Sequence, residues 1–100
     1  MITRYTTPPI SLLVKGIDIT SADVYVTLKQ REIELTIDNP VKTFEDPNTI
    51  ITFSLTQKQS GKFSDDYVQV QVNWMSGGIR YATKIVETKI YDNLYNEVIE

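Results

Sequence analysis

Cysteine and histidine are both absent from this 100-residue chain. Without cysteine there is no disulfide framework, no thiol nucleophile and no thiolate metal site. Without histidine the usual general base near neutral pH and the commonest zinc ligand are missing, and no Ser/His/Asp arrangement exists. Basic residues are few and scattered: ten Lys and Arg stand against 13 Asp and Glu, for a net charge of −3, and no two are adjacent. That excludes the clustered cationic surface on which affinity for nucleic acid rests. Long apolar runs are missing as well. The stretch from Ile10 to Val14 is five residues, far short of the ~20 that span a bilayer. Thr6-Thr7-Pro8-Pro9 stands where a secretory signal would need its apolar core. The expectation is a protein made and folded in the cytoplasm, without membrane contact and without a cofactor.

What is present points to sheet. Ile (12), Val (9) and Thr (12) account for 33 residues, whereas Ala contributes two. β-Branched side chains suit a pleated surface and lose rotamer freedom in helices. Apolar residues at 41% and charged residues at 23% describe a folded chain, and its length corresponds to one domain with one core.

Alternation then locates the strands. After Pro8-Pro9, Ile10, Leu12 and Val14 share a face, with Leu13 blurring the pattern. A polar crossing, 16–21, carries Ile17 and Ile19. Val24, Val26 and Leu28 oppose Tyr25, Thr27 and Lys29; a turn at 30–32 leads into Ile33, Leu35 and Ile37. Asn39-Pro40 ends that strand. Residues 41–55 read as a second hairpin, with Asp46-Pro47-Asn48 fitting a type I turn. Thr56 and Gln59 match a capping box, and Gly61 closes one helical turn. Val68, Val70, Val72 and Trp74 form the cleanest stripe, opposite Gln69, Gln71 and Asn73. After Ser76-Gly77-Gly78, residues 79–90 change phase. That predicts either a bulge or a strand shared between two sheets. These signals give an all-β chain: a single immunoglobulin-like β-sandwich of about seven strands over residues 1–100, with an N-terminal arm at 1–8. Residues 91–100 form a short helical or extended C-terminal segment, which Asp92 or Asn93 would cap. That segment either covers its own sandwich or reaches a neighbour.

No residues converge on chemistry. Asp65-Asp66 is a pair of adjacent carboxylates, but neighbours in a loop diverge, and no further ligand falls at calcium-loop spacing. Ser76-Gly77-Gly78 lacks the Lys and helix of a phosphate cradle. Interaction candidates are better defined. Gln69, Gln71 and Asn73 make an uncharged stripe of the kind found at interface cores. Tyr25 lies on an outer face, Tyr81 and Tyr67 fall near sheet ends, and Leu94, Tyr95, Val98 and Ile99 give the C-terminal segment an apolar character. The candidate interface is therefore Tyr25, Gln69, Gln71, Asn73, Tyr81, Leu94, Tyr95, Val98 and Ile99, with no catalytic, cofactor or metal residues.

Tyr5-Thr6-Thr7-Pro8, Val24-Tyr25-Val26-Thr27, Leu55-Thr56-Gln57, Val70-Gln71-Val72-Asn73-Trp74 and Asp92-Asn93-Leu94 carry a resemblance across nearly the whole chain. In them the sequence resembles small structural proteins of phages and prophages of Gram-positive bacteria, and is similar in layout to the N-terminal β-sandwich domain of baseplate upper proteins. The resemblance implies a non-enzymatic virion protein, baseplate or tail-associated, whose partners are other virion proteins and itself as a homo-oligomer. The residues leave a second reading open: a carbohydrate-binding or adhesion module that stacks sugars on Tyr25, Tyr67 or Tyr81.

Overall fold

The computed structural model describes residues 2–99; Met1 and Glu100, the outermost residues of the expected arm and segment, lie outside it. The alternating apolar stripes assemble around one strand. In β3 (Val24–Gln30), Val24, Val26 and Leu28 are fully buried, while Tyr25 and Lys29 face outward. β3 runs antiparallel to β4 (Ile33–Asp38), from Tyr25↔Asp38 to Gln30↔Ile33. Their two-residue loop sets Arg31 at φ 55°, the left-handed backbone that suits a tight hairpin. The other edge of β3 takes β7 (Tyr67–Ser76), from Val24↔Trp74 to Lys29↔Gln69. Directly opposed residues share a face, so Val68, Val70, Val72 and Trp74 join the β3 stripe in one wall of the core.

The returning chain splits into β8 (Ile79–Ala82) and β9 (Val86–Tyr91), both paired with β7. Asn73 faces Ala82 and Val70 faces Val86, so Gln71 and Val72 oppose three residues, 83–85. The change of phase is therefore a bulge, and no strand is shared between sheets. Thr83 holds it: its N–H donates to the Val72 carbonyl at 2.9 Å, and its Oγ1 accepts from the Val72 N–H at 3.1 Å. The Gln71 amide donates to the Thr83 carbonyl at 2.9 Å. An extra residue leaves backbone groups unpaired, and these contacts satisfy them.

β1 (Ile2–Thr3) runs parallel to β9 and closes a six-stranded sheet, β1-β9-β7-β3-β4, with β8 alongside β7. The expected arm thus begins as a strand, and Ile2 is buried in the core. With β9 separated from β8, it raises the seven expected strands to nine among the described residues.

The second sheet has three strands, β2 (Ile10–Val14), β6 (Asn48–Phe53) and β5 (Val41–Glu45), in the order β2-β6-β5. Val14, Ile51, Phe53 and Leu55 pack against the larger sheet, with Ile19, Phe63 and Ile90 in the same cluster. The chain is thus an all-β sandwich of two mostly antiparallel sheets. Counting β2 as the first strand of the sandwich makes β3 the second; the ABED/CFG order would set it beside the first and fifth, whereas here it lies in the larger sheet between β4 and β7.

Local signals are realised with one difference, at the 46–48 turn. The capping box forms around α1 (Gln57–Gly61): Thr56 Oγ1 accepts from the Gln59 N–H at 3.1 Å, and Gln59 Oε1 accepts from the Thr56 N–H at 2.9 Å. Gly61 closes that turn as the last helical residue, and a Cβ there would enter the Tyr5 ring. The 46–48 turn is centred one residue earlier than a type I turn requires, because Glu45 pairs with Asn48 and leaves Asp46-Pro47, joined by a cis bond, as the loop. Residues 92–99 are not helical. Asn93 Oδ1 accepts from the Tyr95 N–H at 3.1 Å, the bond a helix cap makes, but a helix this short needs packing to hold, and Leu94, Tyr95, Val98 and Ile99 are all exposed.

Candidate interaction surfaces

Four of the expected interface residues meet on the outer face of the larger sheet. Register sets Tyr25 beside Asn73, Thr27 beside Gln71, and Lys29 beside Gln69. The amides form an uncharged central row with Thr27 and Thr36, whose hydroxyls lie 3.1 Å apart. Register also brings what a single strand's pattern does not reveal. Gln69 is flanked by Lys29 and Glu87, and Lys29 by Glu34, so the neutral patch is bracketed by charge. Two of the amides are engaged within the chain: Gln71 holds the bulge, and Asn73 Oδ1 accepts from Arg80 Nε at 3.3 Å. Beside Tyr25 lies a shallow cleft of about 380 Å³ lined by Glu34, Thr36, Asn73, Met75 and Arg80.

The other candidates lie elsewhere. Tyr81 pairs with Trp74 and therefore faces the opposite side of the sheet, stacked on the indole at 5.9 Å between ring centroids. The Trp74 Nε1 is buried with no acceptor among the described residues. Tyr67 is exposed, but the Lys89 ammonium sits 5.7 Å from its ring centroid and equally near Tyr91, a cation–π arrangement.

The adjacent carboxylates diverge, as loop neighbours should. Asp65 meets Lys89 at 2.7 Å and accepts from the Asp92 N–H, while Asp66 meets Arg31 at 3.0 Å and accepts from the Tyr67 N–H. The Lys89 hydrogen bond, then the Asp92 N–H, holds the Asp65 carboxyl below the ordinary carboxylate value. The same contact raises Lys89. Each carboxylate is thus occupied by its own cation, and no cluster of potential metal ligands occurs among the described residues.

Leu94, Tyr95, Val98 and Ile99 come together with neither the outer face nor the core. Their segment is tied by polar contacts: Arg4 to Asp92 at 2.9 Å, the Asn93 amide to the Arg4 carbonyl, and the Gln57 amide to both backbone groups of Ile99. All four apolar side chains are exposed, Leu94 completely.

A further surface was not expected from the sequence. β2 pairs only with β6, which leaves its other edge without a partner among the described residues. Along that edge runs a groove of about 910 Å³ between β2 and the inner face of the larger sheet. Its floor is Val70, Val72 and Trp74, and its far wall is the bulge with Val86. Val86 opposes Val70 on the inner face yet is 52% exposed, because the three-stranded sheet is too narrow to cover it. The sequence held two signs of this: Leu13, which breaks the alternation of β2, and the off-phase Ile85-Val86 pair.

No family model, curated protein or solved structure matches the chain. No helix among the described residues is long and apolar enough to cross a membrane.

Proposed function

We propose that the chain is a non-catalytic structural module that works through protein–protein contacts, as a baseplate or tail-associated protein of a phage or prophage virion. It is made in the bacterial cytoplasm and incorporated into the particle. The observation that carries this reading is the outer face of the larger sheet. Tyr25, Thr27, Gln69 and Gln71 form a broad neutral centre with charged flanks, and charge depleted at the centre with a polar rim is the anatomy of a protein interface. The resemblance carried by Tyr5-Thr6-Thr7-Pro8 and Val70-Gln71-Val72-Asn73-Trp74 is what directs the reading to virion proteins.

The test changes this face without touching its structural amides. Tyr25→Ser with Gln69→Lys leaves Gln71 on the bulge and Asn73 with Arg80. The double variant should fold as the parent does and lose association with copies of itself or with co-expressed proteins of the same particle. Assembly at the parental level would reduce the face to ordinary solvated surface.

A second reading rests on the cleft beside Tyr25, where an aromatic ring meets Glu34, Asn73 and Arg80, a set able to stack on and hydrogen-bond a sugar. It is the narrower reading, because Tyr81 faces the opposite side and Tyr67 is engaged by Lys89. Chemical-shift changes at Asn73 and Arg80 on titration with millimolar glycans would support it. No change would remove it.

A further inference from the structure

The groove along β2 is shaped for a strand. Its wall takes in Ser11 to Lys15 consecutively, and then Ile17, so it follows the strand's edge rather than one of its faces. An unpaired edge beside an apolar floor is the arrangement by which an extended segment adds to a sheet: backbone hydrogen bonds hold it, and alternate side chains enter the floor. The floor here is unfinished, since Val86 occupies an inner-face position half open to solvent.

Charge and length identify an occupant. The charged residues lining the groove are Lys15 and Lys84. The segment 92–100 carries Asp92, Glu97 and Glu100 and no basic residue. Residues 93–99 are seven in number, as are residues 11–17 along the groove, and seven strand residues reach roughly 23 Å. In an extended strand Leu94 and Val98 point to one side, where they would cover Val86, the inner-face residue of the groove that the core leaves open. In the structure both count among the exposed apolar residues, Leu94 completely, and the segment is tied to its own chain by polar groups of Gln57 and Arg4.

We propose that the β2 groove receives residues 93–99 of a second copy of this chain as an added antiparallel or parallel strand, with Glu97 against Lys15 and Lys84. The proposal rests on the assembly reading above and names its partner. A tail-to-groove contact is heterologous, so it either closes into a ring or a reciprocal dimer, or propagates.

The experiment is sedimentation equilibrium of the full chain over a hundredfold concentration range, with three variants. Lys15→Glu with Lys84→Glu reverses the groove, Glu97→Lys with Glu100→Lys reverses the segment, and the fourfold variant restores opposite signs. All four sites lie at exposed positions or outside the described residues, so thermal midpoints should stay near the parental value. Each reversal should weaken association roughly tenfold or more, and the fourfold variant should recover it. Parental association in the groove variant overturns the proposal, as does a parent that is monomeric throughout. Charge coupling between 84 and 97 in a monomer also overturns it, because the chain's own segment would then fill the groove. The Tyr25→Ser, Gln69→Lys variant run alongside separates the two readings. Association lost only there refutes the groove and sustains the outer face; association lost in neither refutes both.

Discussion

Thr49 offers a prediction whose sign differs from what burial alone gives. It lies on β6, fully buried. Its Oγ1 accepts from the Ile19 N–H at 3.1 Å and donates to the Ile17 carbonyl at 2.7 Å. These two bonds pin the crossing between β2 and β3, and with it Ile19 in the core. Thr49→Val keeps shape and volume but strands the buried Ile19 donor, which costs about 1–3 kcal/mol, and removes the bond to Ile17, worth about 1 more. The added apolar methyl returns about 1 kcal/mol, for a net loss of about 1–3, centred near 2. Thr49→Ser retains both bonds and deletes one buried methyl, a loss of about 1 kcal/mol. For a chain of this size that corresponds to a midpoint lowered by about 10 °C for Val and about 5 °C for Ser. Thermal unfolding by circular dichroism, with hydrogen exchange at the Ile19 amide, measures both. A valine variant as stable as the serine variant would refute the reasoning, since the Ile19 N–H would then have another acceptor.

Three further perturbations follow from single contacts. Thr56→Ala removes the oxygen that caps α1 and should cost about 1 kcal/mol, with faster exchange of the Gln59 amide. Gly61→Ala drives a Cβ into the Tyr5 ring, an overpacking loss of about 1–3 kcal/mol. Most of it should vanish in a Tyr5→Gly background, as a double-mutant cycle in denaturant would show. The Asp65–Lys89 pair sets a pH dependence at both extremes. Asp65 titrates below its unfolded value, so its contribution is complete above that value and is lost as pH falls through the folded one. Lys89 titrates above its unfolded value, so its contribution holds below that value and is lost as pH rises through the folded one. Carboxyl-carbon shifts of Asp65 should report a midpoint under the ordinary value of about 3.9. A midpoint at or above it contradicts the pairing.

The strands were legible because each stripe has a single period: Val24/Val26/Leu28 and Val68/Val70/Val72/Trp74 state which face is inside without reference to any partner. The capping box was legible for the same reason, since Thr56 and Gln59 satisfy each other locally. What lay beyond the sequence was whatever depends on a neighbour. The need for glycine at 61 is dictated by the Tyr5 ring from another part of the chain, and whether a helix follows the cap bond of Asn93 depends on what its apolar residues pack against. Tyr81 faces away from Tyr25 because its register follows Trp74. The surfaces divide in the same way. Tyr25, Gln69, Gln71 and Asn73 gather on one face because strand parity puts them there. Charges bracketing that face, and the open edge of β2, arise from the order of strands, which periodicity does not encode.

On the proposed reading, an open strand edge and an exposed apolar segment make this chain associate with its own kind. The measurement that decides it is sedimentation equilibrium of the unaltered protein. The mass should rise from the 11.5 kDa protomer with concentration and level at a defined multiple or continue to grow. A constant mass of 11.5 kDa across a hundredfold range would contradict it.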